Sequence, residues 1–299
     1  MWVYFAVLSS LLLGGYDILK KSSLRLNAVL PVLFVAALSG AMLFVPPLLV
    51  SYANPEWARM HAFYIAPLSL REHIWVFLKS ILVGASWILN YYAMKHLPLT
   101  VVSPIRSSGP LWTVVGALLI FGERLSLLQW TGLAVSLLFF WYFSFSGRRE
   151  GLSFTQNRWM LCIFAGTLLG SMSGLYDKFL VARMDRIAMQ AWFSLYLLPV
   201  IFPFVLLRWY PRRGSDPFLW RWTIPMIGVV LTVTDFVYFY ALSFPDSLVS
   251  IVSAVRRTSV VVPFVAGVFL FREKNNLLPK VIALAGMVLG VLLIALGTR

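Results

Sequence analysis

Three arginines stand inside stretches that are otherwise apolar: Arg106 in "VVSPIRSSGPLW", and Arg256 with Arg257 in "VSIVSAVRRTSVVVPF". A guanidinium is planar, stays charged at any working pH, and binds two oxygens of a carboxylate or phosphate at once. In hydrocarbon it costs roughly 2.5–3.5 kcal/mol on insertion scales, so it normally faces a wet cavity or a partner. Ser103, Arg106, Ser107 and Pro110 fall on one helical stripe, and Ser253, Arg256 and Arg257 follow the same spacing. The chemistry these residues point to is the holding of a small anion, and a phosphate suits the guanidinium fork.

The acids at depth admit other roles. Asp235, in "LTVTDFVYFYAL", is the first candidate for a coupling carboxylate, with a counter-ion role to Arg257 as the alternative. Asp17, Asp177 and Lys178 stand near helix ends beside Lys20 and Lys21, where gating or proton coupling competes with interfacial solvation. Asp17, Asp177 and Asp235 together could instead neutralise Arg106, Arg256 and Arg257, leaving a salt-bridged core and a neutral or zwitterionic substrate. Adjacent residues on a helix point about 100° apart, so one arginine of the pair can hold ligand while the other pairs with an aspartate. Tyr92, Tyr240 and Trp112, with Tyr91 and Tyr238, are candidate cavity walls; packing or interfacial anchoring is the other use of such aromatics.

The elements that position these groups follow from composition. The 299 residues are 60% hydrophobic and 12% charged, with mean hydropathy +0.84. A soluble domain carries roughly 25% charged residues, and the repeated apolar runs here have the length that spans about 30 Å of hydrocarbon as helix. No alternating segments of a transmembrane barrel occur. The expected class is an all-α polytopic membrane protein with ten transmembrane helices, at 2–20, 28–51, 74–95, 99–121, 127–146, 158–182, 187–208, 219–243, 247–271 and 277–297. Residues 52–73 read as an interfacial segment. The first run has no basic n-region or cleavage site and reads as a retained helix. The tails leave no room for a soluble domain.

A net charge of +14 is spread through short loops, the pattern of headgroup-facing charge and not of a nucleic-acid surface. Cys162 is the single cysteine, so neither a disulfide framework nor a thiolate metal site is available. His61, His73 and His96 have no ligand spacing and no nucleophile–base cluster appears, which sets a membrane enzyme behind a transporter. No cofactor is called for.

The chain repeats itself. Residues 81–128 can be laid on 230–278 with Tyr92 on Tyr240, Ser103 on Ser253, Arg106 on Arg256, Glu123 on Glu273, and Trp87 opposite Asp235. "GGYDILKK" (14–21) echoes "GLYDKFLV" (174–181), placing Asp17 on Asp177. This gives a first five-helix repeat at 1–147, a linker at 148–157 and a second five-helix repeat at 158–299. An odd number of spans per unit forces the second to enter from the opposite side, so the repeats are inverted, as in many alternating-access transporters. Arg106 lies about 6 Å, and Arg256 about 4.5 Å, before the middle of its helix, at 1.5 Å per residue. Inversion then places them at two levels bracketing the bilayer centre. Pro110 and Pro263 can kink the two arginine helices, while Gly286 and Gly290 suit close helix packing.

Each half ends in a helix, a charged turn ("FGERLSLLQWTG", "FREKNNLLPKVI") and a final glycine-containing helix. With "LGGYDILKK" closing the first helix, this resembles the EamA-type repeats of the drug/metabolite transporter superfamily, although Leu13 stands where a Trp is often found. The resemblance implies a ten-helix bundle whose central cavity is lined mainly by the first, third, fourth, sixth, eighth and ninth helices. Arg256-Arg257 is similar to the adjacent Lys-Arg pair with which plastid sugar-phosphate translocators of that superfamily hold a phosphate. The expectation is a monomeric secondary transporter of a small organic anion in a lipid bilayer, a bacterial inner membrane, working by alternating access. Export of amino acids or neutral metabolites, and movement of lipid or polyprenyl phosphates, are the alternatives within transport. Orientation stays open: cytoplasmic termini are implied by the resemblance, whereas the basic loops argue the reverse.

Overall fold

The computed structural model describes residues 2–60, 64–109, 111–113, 115–116, 126–148, 157–181, 183–242, 256, 258–273 and 275–297, and these are mostly helical with no strand among them. The first half supplies α1 (Trp2–Leu24), α2 (Val29–Met42), α3 (Val45–Ala53), α4 (Pro55–Met60), α5 (Leu70–His96), α6 (Leu99–Ser107) and α7 (Leu127–Arg148). The second supplies α8 (Arg158–Val181), α9 (Arg186–Phe204), α10 (Thr223–Leu242), α11 (Val261–Phe269) and α12 (Leu277–Leu296). Among the described residues, five segments are long and apolar enough to cross a membrane: Val29–Ala53, Leu70–His96, Arg158–Asp177, Arg186–Arg212 and Leu277–Ile294. Many large apolar side chains, among them Leu207, Trp222 and Phe269, face outward, as a lipid-facing surface requires.

Departures from the expected spans have local causes. The run 28–51 breaks between Met42 and Val45 because Pro46 and Pro47 open α3 and give no N–H to the carbonyls four residues back. Pro199 and Pro203 lie inside α9, and the chain leaves it through a π turn, Val205–Trp209. α5 begins four residues early, at a capping box in which Ser69 and Glu72 each bond the other's backbone N–H. α1 runs on to Leu24, which turns Asp17 and Lys20 from end residues into interior ones. Much of the expected spans 99–121 and 247–271 lies outside the described residues.

Packing crosses the chain between the two halves. α1 lies on α10 and α5 on α8, while α2 meets α9, α6 meets α11 and α7 meets α12. Small residues set how closely they approach. A side chain on Gly132 of α7 would meet the Gly290 carbonyl of α12 at 2.6 Å, and one on Gly286 would strike the Phe139 ring. Gly228 of α10 is similarly pressed against the Ala36 carbonyl and Ser39 of α2. At one end of the bundle, Glu273 after α11 caps α6: its two carboxylate oxygens accept from Leu99 N and Thr100 N at 3.0 and 2.9 Å. The repeated glutamate of the charged turn is thus a helix cap supplied by the other half. Its sequence counterpart Glu123 lies outside the described residues.

Candidate functional site

α1 carries Asp17 and, one turn on, Lys20; α6 brings Arg106 to the same carboxylate. Lys20 Nζ stands 3.2 Å from Asp17 Oδ1, and Arg106 Nη1 bonds Oδ2. Asp17 is 1% and Lys20 4% exposed. Lys20 also lies over the rings of Tyr16 and Tyr91, 4.5 and 4.8 Å from their centroids. A buried ion costs several kcal/mol unless paired, and a quadrupole-bearing ring face adds to the pairing of a cation. One carboxylate here serves two cations, so the cluster carries a surplus positive charge.

That surplus borders a cavity of about 290 Å³. Tyr16, Lys20 and Arg106 form one wall, with Ser86 and Asn90 of α5, and Thr167 and Ser171 of α8. Glycines space the α8 wall: a side chain on Gly166 would collide with the Asn90 amide, while Gly174 has open space beside it. The hydroxyls are anchored on backbone, Ser86 on the Gly166 carbonyl at 2.8 Å and Ser171 on the Gly109 carbonyl at 2.8 Å. Asn90 donates to Ser86 O and Oγ, leaving its Oδ1 with no protein partner. A charged rim facing fixed polar groups, with Leu13, Trp87 and Leu231 as the apolar remainder, matches a pocket for a small polar ligand.

Beyond Tyr16, Trp87 and Leu231 lies a smaller hollow of about 40 Å³ that Asp235, Gln190 and Thr232 help to line. Asp235 bonds Arg256, which also lies 4.2 Å over the Tyr238 ring. This pair is 26% and 21% exposed. Asp177 pairs with Lys79 at 2.6 Å, and Lys79 in turn lies 4.6 Å over Phe193.

Of the residues singled out in the sequence, Arg106 lines the larger cavity, while Asp17 reaches it through Arg106 and Lys20. Asp235 and Arg256 form the second pair. Ser103 is buried on α6, its hydroxyl without a protein partner. Ser107 donates to the Pro104 carbonyl and contacts Met287 Sδ at 3.2 Å, a packing position against α12. Trp112 donates to Ser108 Oγ and meets Phe164 edge-on. Tyr92 stacks with Trp159, and Tyr240 packs edge-on against Phe5. Lys178 lies on α8; Ser253, Arg257 and Pro110 lie outside the described residues. Sequence reasoning left Lys20 at a helix end and did not take Asn90, Tyr16 or Lys79 as site residues. The signal for Lys20 was its i, i+3 spacing from Asp17.

A solved crystal structure matches 98% of this chain and 96% of its own, at 18% identity and a TM-score of 0.61, which establishes a shared fold. No protein with a curated description matches. The sequence matches the EamA-like transporter family over residues 1–145, in accord with the apolar helices, the outward apolar surface and the polar cavity between them. Residues 1–145, just under half of the chain, are thus similar to a family of small-molecule transporters, and together with the apolar helices the match points to an integral membrane protein.

Proposed function

We propose that the chain is a monomeric secondary transporter of a small organic anion, phosphorylated metabolites being the favoured class, in a bacterial inner membrane. The observation that carries this reading is the surplus charge of the Asp17 cluster on the wall of the larger cavity. A ligand anion there would complete the pairing of Lys20 and Arg106 with charge-assisted bonds. Two inverted five-helix units moving against each other would expose the cavity alternately to either face. The exchanged partnerships of the halves, α1 on α10 with α5 on α8, support that symmetry.

A second reading has its own support. Arg106 and Arg256 each already hold a carboxylate, which is the arrangement wanted for exporting a zwitterionic or neutral metabolite through a neutralised core. Counterflow in proteoliposomes, comparing phosphorylated metabolites with amino acids, separates the two. Lys20→Met and Arg106→Gln should each raise the KM for the anion about 10–100-fold, the loss of one charge-assisted bond of about 1.5–3 kcal/mol. If both folded variants move every anionic candidate as the parent does, the anion reading fails.

A further inference from the structure

Next to Lys20 on α1, Lys21 points out of the central cluster into a larger hollow of about 680 Å³ at the end of the bundle. The turn after α1, the end of α5 and the turn after α11 enclose it, bringing Arg25, Lys95, Arg272 and Glu273 around one space. Its acid is already engaged: both oxygens of Glu273 are taken by the first amides of α6. Lys95 is paired with Asp216 at 3.1 Å, and Lys21 donates to the Met94 and Leu97 carbonyls at 2.8 and 2.5 Å. Arg25 and Arg272 remain exposed, with no carboxylate partner among the described residues. Arg272 is held at φ 56°, a left-handed conformation that a side chain with a Cβ seldom adopts.

We propose that this hollow is a second anion site, binding a phosphate group through Arg25 and Arg272. If the chain carries anions as read above, the hollow is the vestibule of the same route. Lys21 and Lys20 are successive residues of α1, and His96 and Asn90 stand a turn and a half apart on α5, one of each pair in each space. On the wall of the larger hollow, Lys21 bonds the end of α5 and Glu273 caps α6. An anion would pass from the two arginines, past Lys21, to Lys20 and Arg106. The phosphodiester of an acidic lipid shares this chemistry and could reach the same arginines from the membrane.

The test places a reporter cysteine at the exposed Leu270 on the rim, with Cys162→Ser, in the full chain in phosphatidylcholine nanodiscs. Its labelling by a methanethiosulfonate sulfonate is followed against inorganic phosphate at constant ionic strength. Saturable protection is expected, absent in Arg25→Gln/Arg272→Gln and retained in Arg106→Gln. Protection in phosphatidylglycerol discs without added phosphate, lost in the same double variant, assigns the site to a lipid headgroup. No saturable protection in either disc, or protection that survives the double variant, overturns the site. Protection lost with Arg106→Gln places the phosphate in the central cavity and overturns it too, leaving the transport reading intact. Conversely, a protected vestibule beside anion uptake that ignores Lys20 and Arg106 would sink the transport reading alone.

Discussion

Asp17 and Asp177 fall together when the two halves of the sequence are aligned, each after a tyrosine, yet they keep different company. Asp17 is sealed between Lys20 and Arg106. Asp177 stands 41% exposed beside Lys79 of the other half, and the arginine matching Arg106 turns instead to Asp235. Where Asp235 stands in the second half the first has Trp87, and where Lys20 stands the second has Leu180. The aligned sequences share the arginine and the first aspartate, and two single-residue differences leave Asp17 with two cations and Arg256 with one carboxylate. Repeat-equivalent charges therefore mark equivalent places in the scaffold and say little about equivalent electrostatics.

The largest effect should come from removing the shared carboxylate. Asp17→Asn removes a buried carboxylate and leaves the buried Lys20 and the partly exposed Arg106 without a counter-charge, which should cost about 3–5 kcal/mol. Asp235→Asn, at a pair that water reaches, should cost about 1–2 kcal/mol. Unfolding by SDS in mixed micelles compares the two, and equal losses would erase the distinction between the halves. Next in size, Trp87→Asp copies the second half's acid into the first and places it on the cavity wall near Lys20. It should cancel the surplus and raise the KM for an anion about tenfold, or about 1.4 kcal/mol; an unchanged KM would show that the surplus is not what the substrate reads. The smallest effect belongs to Lys79→Met. Asp177 is already partly solvated, so stability should fall by less than about 1 kcal/mol, and a larger loss would make this pair as structural as that of Asp17.

How much of this was visible beforehand depends on what each signal measures. Apolar runs showed the helical class and the five membrane-length segments among the described residues, because hydropathy follows the lipid-facing surface directly. Helix ends were harder, since they follow caps and prolines: "SLRE" at 69–72 is a capping-box pattern that starts α5 early, and Pro46-Pro47 divide a run of uniform hydropathy. The arginines were legible as residues that need partners; which partners they take was not. Arg106 chooses Asp17 through the crossing of α1 and α6, and Lys20 joins them only because α1 continues to Leu24. Tyr92 and Tyr240 looked alike in the repeat, yet each packs on an aromatic neighbour away from the larger cavity. A stripe on one helix cannot say which neighbour it meets.

The Glu273 cap ties two distant parts of the chain together. The amides it satisfies open the very helix that carries Arg106, so a solitary first repeat would begin that helix with two bare donors and no carboxylate to quiet them. The start of the helix that carries Arg106 therefore depends on a carboxylate 174 residues further along the chain.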